Sequence, residues 1–142
     1  MKKIILFLLI SSISFAQNAN RKYLNFKKTS TALEINTSDG KYILSAYSSK
    51  VIETSFIPNG EVFNPESHAV VLTPKKGNTK ITNSKNSIRF ATKGIVAIIE
   101  KSPFKISYSY KNEALLSEKN GYTKKDSTEI LDFNLDTSEV LY

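Results

Sequence analysis

The chain of 142 residues is 40% hydrophobic and 23% charged, which favours one globular domain with its own core and excludes a disordered protein. It has no cysteine, so disulfide bonds and thiolate metal sites are excluded. The net charge of +7 comes mainly from dispersed lysines, and only Arg21 and Arg89 could contact a base or a phosphate bidentately. We therefore expect no nucleic-acid partner.

The first residues have the features of a secretory signal peptide. Two lysines precede the apolar run Ile4 to Ile10, which is too short to span a bilayer. Small residues at Ser14 and Ala16 then mark a cleavage site, so that Gln17 would begin the mature chain. We predict a cleaved signal helix at residues 1–16 and export to the periplasm or beyond, with no membrane attachment in the mature form. A buried helix or a short membrane anchor is the alternative.

After a polar lead-in at residues 17–30, with room for a short edge strand, the chain is predicted to form short strands separated by turn signals. The predicted strands are Thr31–Thr37, Lys41–Tyr47, Val51–Ile57, Ala69–Leu72, Thr79–Thr82, Ser87–Thr92, Gly94–Ile99, Phe104–Tyr110, Ala114–Leu116 and Thr128–Leu135. The strongest turn is Ser38-Asp39-Gly40, where Gly40 is expected to take a positive φ, and Lys111-Asn112 is predicted to close the hairpin after Tyr110. The polar stretch from Glu118 to Lys125 is not assigned to a strand.

Two adjacent strands, Gly94–Ile99 and Phe104–Tyr110, are predicted to lie at the centre of the fold. Apolar residues occupy both faces of the first strand, so both faces are expected to be covered. The second strand alternates aromatic or apolar residues with lysine and serine, which is typical of one buried and one wet face. Because no helical stripe persists after the signal, we predict an all-β antiparallel sandwich at residues 31–142.

The sequence offers no recognisable catalytic, metal or cofactor site. His68 is the only histidine and follows a polar loop, so it is interpreted as a surface residue rather than a general base. A Ser-His-Asp triad and a two-histidine zinc site are both excluded, and the five glycines are too dispersed for a phosphate-binding loop. We therefore predict no catalytic residue, no metal and no cofactor.

Two pairs of carboxylates remain as candidates, because glycoside hydrolysis uses two carboxyl groups across a sugar. These pairs are Asp132 with Asp136 and Glu61 with Glu66. Asp132 lies on the polar face of a predicted strand, where a solvated carboxylate is expected. We favour that interpretation over catalysis.

Tyrosines could form a platform for a sugar, since the apolar face of a sugar ring packs on an aromatic ring. The candidates are Tyr42, Tyr47, Tyr108, Tyr110 and Tyr122. Aromatic residues at strand spacing more often pack in the core or in cross-strand ladders, so this interpretation is favoured for each of them. The substrate-binding residues stay unassigned.

The order of four segments resembles a known module. The segments YILSAYSSKVIETSFIPNG, SHAVVLTP, GIVAIIEKSPFKISYSYKNEALLSEKNGY and LDFNLDTSEVLY are similar to the N-terminal, galactose-mutarotase-like β-sandwich of family-31 glycoside hydrolases, in a Bacteroidetes-like form. This is the α-glucosidase and α-xylosidase group, and the resemblance covers Leu33 to Tyr142. Glu139 to Tyr142 resembles the start of the family's junction toward the catalytic barrel. The family often carries an arginine in the strand at Val51–Ile57, where this chain has Glu53-Thr54.

The resemblance implies a parent enzyme that hydrolyses α-glycosidic bonds with retention, using aspartates on a (β/α)8 barrel of about 250 residues. It implies no catalysis by this chain, which would pack on that barrel and shape the rim of the carbohydrate site. The implied partners are the barrel and an α-linked oligosaccharide. A stand-alone carbohydrate-binding module and a cell-surface adhesion sandwich are the alternatives. A sandwich separated from its barrel is expected to expose an apolar patch and to self-associate.

Overall fold

The computed structural model describes residues 21–64, 72–74, 76, 79–125 and 127–134. Within these residues the chain forms strands and no helix. The strands are β1 (Tyr23–Lys28), β2 (Ala32–Thr37), β3 (Gly40–Ser48), β4 (Val51–Pro58), β5 (Lys80–Asn83), β6 (Ser87–Ala91), β7 (Ile95–Lys101), β8 (Phe104–Tyr110), β9 (Glu113–Lys125) and β10 (Thr128–Asn134). The predicted signal helix, residues 1–16, lies outside the described residues, as does most of the predicted strand Ala69–Leu72.

The strands form two antiparallel sheets, and the predicted all-β sandwich is confirmed. One sheet has the order β1-β2-β3-β4, and the other has the order β10-β9-β8-β7-β6-β5. Each strand therefore pairs with its neighbour in sequence within its sheet, as expected when short turns join successive strands. The chain passes from the four-stranded sheet to the six-stranded sheet between β4 and β5.

The core lies between the two sheets and is built from alternate residues of their strands. These residues are almost fully excluded from solvent, and each buried side chain of this size contributes about 1.5–3 kcal/mol to folding. They are Leu33, Ile35, Tyr42, Leu44, Ile88, Phe90, Ile99 and Ile106. The predicted alternation of one buried and one wet face is confirmed for the inward residues Phe104 and Ile106 of β8.

β1 lies within the segment predicted to be a lead-in. It pairs with β2 from Tyr23 opposite Thr37 to Lys28 opposite Leu33. The four-stranded sheet thus begins ahead of residue 31, and Arg21, just before β1, is 5% exposed. The N-terminal segment therefore contributes both a strand and a buried charge to the sandwich.

Two turns show how local sequence sets the hairpins. Lys111 and Asn112 have φ of 50° and 72°, the pattern of a type I′ turn, and they join β8 to β9 as predicted. The Asp-Gly hairpin between β2 and β3 is confirmed as well. The expected positive φ at Gly40 is wrong. Glycine is required there because a Cβ atom would collide with the carbonyl oxygen of Ile57 and the ring of Phe56 on β4.

β9 is much longer than predicted and includes the polar stretch left unassigned. Its pairing with β10 shifts register, since Asp132 lies opposite Gly121 whereas Phe133 lies opposite Glu118. Lys119 and Asn120 therefore form a bulge. Glu118, just before the bulge, lies on the inner face and is 5% exposed. The hydrophilic composition of this stretch reflects a buried polar contact and not a loop.

The prediction that both faces of β7 are covered holds for its inner face only. Ala97 and Ile99 are fully buried in the core, whereas Val96 and Ile98 on the outer face are half-buried. The outer face of this strand is therefore apolar and still accessible from solvent.

Candidate functional site

A cluster of polar side chains lies between the two sheets, centred on Arg21. We call this the inter-sheet cluster, and it comprises Arg21, Asp39, Tyr42 and Glu118. The guanidinium donates hydrogen bonds from Nε to Asp39 Oδ1 at 2.9 Å and from Nη2 to Asp39 Oδ2 at 2.8 Å. Nη1 donates to the hydroxyl of Tyr42 at 2.5 Å, and Nη2 donates to the carbonyl oxygen of Tyr122 on β9 at 2.7 Å. Arg21 thus joins the β2–β3 turn to the opposite sheet.

Aromatic rings enclose the same guanidinium. Its carbon atom lies 4.4 Å from the ring centroid of Phe56 and 5.3 Å from that of Tyr42. These distances are within the range of a cation–π interaction, which is stronger when the cation is desolvated, as here. The rings of Phe56 and Tyr122 are 5.0 Å apart and extend the stack to β9. The positive charge is therefore held by both ion pairing and aromatic packing.

Glu118 is the buried acid of the cluster. Its Oε2 accepts a hydrogen bond from the backbone N–H of Ile106 at 3.2 Å. Burial raises the pKa of Glu118 to about 7, although Arg21, that N–H group and the hydroxyl of Tyr42 all favour the charged form. Desolvation therefore outweighs the nearby donors, and this carboxyl group titrates near neutral pH.

The pKa values of Asp39 and Tyr42 are also shifted by burial and by their neighbours in the cluster. Burial alone would raise the pKa of Asp39, but the hydrogen bonds and charge of Arg21 outweigh it and lower that pKa. Burial raises the pKa of Tyr42 far above its ordinary value, and Glu118 adds to the effect. Tyr42 is therefore a neutral hydroxyl and Asp39 is a carboxylate at neutral pH.

A cluster with shifted pKa values is a candidate for catalysis, but this cluster is closed to a substrate. Arg21 and Glu118 are each 5% exposed, and the rings of Tyr42 and Phe56 cover the guanidinium of Arg21. Every buried side-chain nitrogen or oxygen in the described residues has a hydrogen-bond partner. The cluster has the properties of a structural clamp between the sheets.

Gly121 permits the close packing of this clamp. A Cβ atom there would lie 2.9 Å from Arg21 Nη1 and 3.1 Å from the hydroxyl of Tyr42, and the residue has a φ of +64°. We expect Gly121→Ala to lower the free energy of unfolding by about 1–3 kcal/mol more than Gly60→Ala does. Both substitutions strain the backbone, but only the one at Gly121 also overpacks its surroundings. Gly60 is the matched control, with a φ of +86° and no atom within 4 Å of the added Cβ. Equal losses in urea unfolding would show that the clamp tolerates the extra carbon.

Each of the two carboxylate pairs singled out in the sequence has one member outside the described residues, so the structure describes only Asp132 and Glu61. Asp132 Oδ2 accepts a hydrogen bond from Asn120 Nδ2 in the bulge at 2.6 Å. Glu61 forms an exposed ion pair with Lys124 on β9. His68, Glu66 and Asp136 lie outside the described residues. No group of acids and histidines in the described part of the chain could hold a metal ion.

The five candidate tyrosines do not form a common platform for a sugar. Tyr42 is buried, Tyr108 donates a hydrogen bond to Thr54 across the sheets at 2.7 Å, and the ring of Tyr122 packs on Phe56. Tyr42 lies in the core and the half-buried Tyr108 and Tyr122 contact residues of the other sheet, which agrees with the packing role favoured from the sequence. Tyr47 and Tyr110 are half-buried at the surface.

The outer face of the six-stranded sheet carries a shallow groove of about 530 Å³. We call this the outer groove, and its lining includes Arg89, Val96, Ile98, Ser107, Ser109 and Ser117. Across neighbouring strands, Ile98 lies between Arg89 and Ser107, and Val96 lies beside Ser109. A solvated sheet face usually carries long polar side chains, whereas this one is apolar or short at its centre.

A second opening, of about 300 Å³, lies between the edge of β4 and the inner face of the six-stranded sheet. We call this the edge furrow. It is mostly apolar and is lined by Ile52, Thr54, Ile95, Tyr108, Leu115, Leu116 and Phe133.

Comparison with known protein families shows which family the sandwich belongs to. The model of the glycosyl hydrolase 31 N-terminal galactose mutarotase-like domain matches residues 41–142, well over half of the chain. The chain belongs to this family. The resemblance found in the sequence is therefore confirmed. The match begins in β3, so β1, β2 and Arg21 precede it although they share the sandwich with it.

Membership of the glycosyl hydrolase 31 N-terminal domain family is consistent with a domain that has no catalytic residues of its own. No curated protein matches the chain. Among the described residues, none forms a helix that is long and apolar enough to cross a membrane.

The sequence did not lead to Arg21 and Glu118, the basic and the acidic side chain that are buried among the described residues. A signal for Glu118 was present, because it lies two residues after Leu116 and therefore on the same face of a strand. No comparable pattern marks Arg21, which precedes the first strand.

Proposed function

We propose that this chain is the non-catalytic N-terminal β-sandwich domain of a secreted family-31 α-glycosidase, and that it packs on the catalytic barrel through the outer groove. Packed there, it would shape the rim of the carbohydrate site. The family match supports the role of an N-terminal domain. Export is supported by the basic, apolar and small-residue pattern of residues 1–16.

The observation that carries the proposal is the accessible apolar centre of the outer groove. Val96 and Ile98 are half-buried on the outer face, and short serine side chains flank them on β8 and β9. Short side chains let another surface approach the sheet closely, and the two aliphatic residues would gain burial on contact. Arg89, which also lines the groove, could pair with an acidic group of the partner.

The mature chain without a barrel is expected to self-associate through this groove. Ile98→Lys should reduce the average mass in light scattering at high concentration, because a charge in an apolar contact is costly to desolvate. The matched control is Ile43→Lys, a half-buried isoleucine on the outer face of the four-stranded sheet. A wild-type chain that stays monomeric at every concentration, or equal effects of both variants, would count against the groove.

Activity measurements test the rest of the proposal. The chain alone is expected to hydrolyse neither aryl α-glucosides nor aryl α-xylosides, because no described residue pair offers an acid and a nucleophile across a cleft. Titration with maltose and xylo-oligosaccharides is expected to show no binding by the chain alone. Turnover would overturn the non-catalytic assignment, and binding would favour a stand-alone carbohydrate-binding module.

A further inference from the structure

The hairpin of β9 and β10 extends beyond the point where β9 leaves β8. The register between β8 and β9 stops at Ser107 opposite Ser117, whereas the start of β8 is paired with β7 alone. From Glu118 onward, among the described residues, β9 is paired only with β10. We call the hairpin beyond this point the arm, and it comprises residues 119–125 and 127–132. Backbone pairing therefore joins the arm to the rest of the sheet at its base only.

The base of the arm has the features of a hinge. Lys119 and Asn120 form the bulge, and a bulged strand bends and twists more strongly than a regular one. Gly121 follows with a φ of +64°, a conformation that glycine adopts at no steric cost. Hinges are a few residues at the ends or irregularities of elements that absorb changes in φ and ψ. The bulge is therefore a point at which the arm can rotate while the β8–β9 ladder stays intact.

Three contacts hold the arm against the four-stranded sheet and the segments that flank it. The carbonyl oxygen of Tyr122 accepts the hydrogen bond from Arg21 Nη2 at 2.7 Å, and its ring packs on Phe56 at 5.0 Å between centroids. Lys124 forms the exposed ion pair with Glu61, a type of contact that contributes about 0–1 kcal/mol. The position of the arm therefore depends mainly on Arg21 and on Tyr122.

The arm itself buries little apolar surface. Among the strands, β10 packs mainly on β9, and Ile130 and Leu131 are 48% and 58% exposed. By contrast, Ile99 and Ile106 in the body of the same sheet are fully buried. Segments with few buried apolar contacts open locally at a lower free energy than the core does. The arm is therefore expected to open before the sandwich unfolds.

The closed arm covers the buried carboxyl group of Glu118. A Cβ atom at Gly121 would lie 3.3 Å from Glu118 Cδ, so the backbone of the arm lies directly against this carboxyl group. The titratable and charged groups that face it from the other elements are Arg21 ahead of β1, Tyr42 on β3 and Tyr108 on β8. Rotation of the arm would return Glu118 to water, where a glutamate titrates near its ordinary value.

We propose that the arm is a hinged flap, which swings away from the four-stranded sheet while the rest of the sandwich stays folded and so uncovers Glu118 and the inter-sheet cluster. The flap responds to pH, because burial raises the pKa of Glu118 from 4.5 to about 7 only while the arm is closed. The stabilisation of the closed arm by neutral Glu118 is fully present below pH 4.5 and is lost as the pH rises through 7. Arg21 and its partner Asp39 stay charged in this window, since the pKa of Arg21 is raised and that of Asp39 is lowered.

Hydrogen exchange of the mature chain, measured for single residues by NMR, tests the flap. The N–H of Ile106 donates to Glu118 and becomes accessible when the arm opens. The N–H of Ser107, the next along β8, is directed to the other side, where β8 pairs with β7. We expect Ile106 to be protected at least about tenfold less than Ser107, because the first needs only local opening and the second needs unfolding of the sheet. Equal protection of the two would overturn the proposal.

Two variants separate local opening from global unfolding. Ile88→Val in the core of β6 should lower the protection of Ser107 by about 2- to 10-fold and leave Ile106 unchanged, because the core stays packed when only the arm opens. Tyr122→Ala should lower the protection of both by about tenfold, because the closed state alone contains the contact with Phe56. A loss at Ile106 equal to that at Ser107 in Ile88→Val would mean that the arm opens only when the whole domain unfolds.

The pH response is measured at the same N–H group. After correction for intrinsic exchange, the opening constant at Ile106 should rise roughly 40-fold from pH 5 to pH 7 in the wild type. Glu118→Gln should abolish this rise, whereas Glu113→Gln, at the exposed start of β9, should leave it unchanged. A rise that persists in Glu118→Gln would contradict control of the arm by Glu118.

Discussion

Replacing Arg21 with methionine is expected to lower the free energy of unfolding by about 3 kcal/mol, the low end of the range for removing one partner of a buried ion pair. The loss removes the guanidinium donor from the hydroxyl of Tyr42 and the carbonyl oxygen of Tyr122, and Asp39 keeps the hydroxyl of Thr37 as a donor. The low end applies because the side chain of Asp39 is 40% exposed and water can solvate it. Methionine replaces the unbranched apolar stem of arginine without its guanidinium, so the change reports mainly on charge and hydrogen bonding.

Urea unfolding of the mature chain measures this loss, and Arg89→Met is the matched control. Arg89 is an exposed arginine on β6, so its replacement should change stability by less than about 0.5 kcal/mol. Arg21→Lys should lie between the two, because an ammonium group keeps the charge but loses the bidentate contact with Asp39. Equal effects of Arg21→Met and Arg89→Met would show that the inter-sheet cluster does not stabilise the fold.

The alternation of apolar and polar residues predicted most of the sandwich. Leu33, Ile35 and Leu44 are fully buried because each lies on the inward face that the period-2 pattern indicated. The Lys111-Asn112 turn was predicted as the connection between two strands, and both residues have the positive φ of a two-residue hairpin turn. Local rules succeed here because these features depend on neighbours in the sequence.

The inter-sheet cluster could not be predicted in the same way. Arg21 and Tyr122 are 101 positions apart, and their contact depends on how the two sheets face each other. The bulge at Lys119 and Asn120 decides that Glu118 lies inside, and it becomes visible only when β9 is paired with β10. Burial raises the pKa of Glu118 and Arg21 lowers it, and both effects depend on tertiary contacts alone.

The outer groove was predicted only in part. The apolar residues on both faces of β7 indicated that its outer side needs a partner, which agrees with the half-buried Val96 and Ile98. The sequence could not indicate that serines of β8 and β9 lie beside them, because that depends on strand register. Register is set by turns and bulges along the whole sheet.

Raising the pH from 4.5 to 7.5 is expected to lower the free energy of unfolding by about 3 kcal/mol through Glu118 alone. Burial raises the pKa of Glu118 from 4.5 to about 7, so the folded state binds more protons than the unfolded state between these values. The stabilisation is therefore fully present below pH 4.5 and is lost as the pH rises through 7. Asp39, whose pKa is lowered, affects stability only below this window, in the opposite direction.

Glu118→Gln isolates this contribution, because glutamine keeps the shape and an acceptor for the Ile106 N–H but does not titrate. The stability of the variant relative to wild type should rise by about 3 kcal/mol from pH 4.5 to pH 7.5, whatever constant offset the substitution adds. The control is Glu113→Gln, which removes a carboxylate from the exposed start of the same strand. If both variants change the pH profile equally, net charge explains the effect and the buried carboxyl group does not. A pH-independent difference between Glu118→Gln and wild type would show that Glu118 is charged throughout and that Arg21 outweighs its burial.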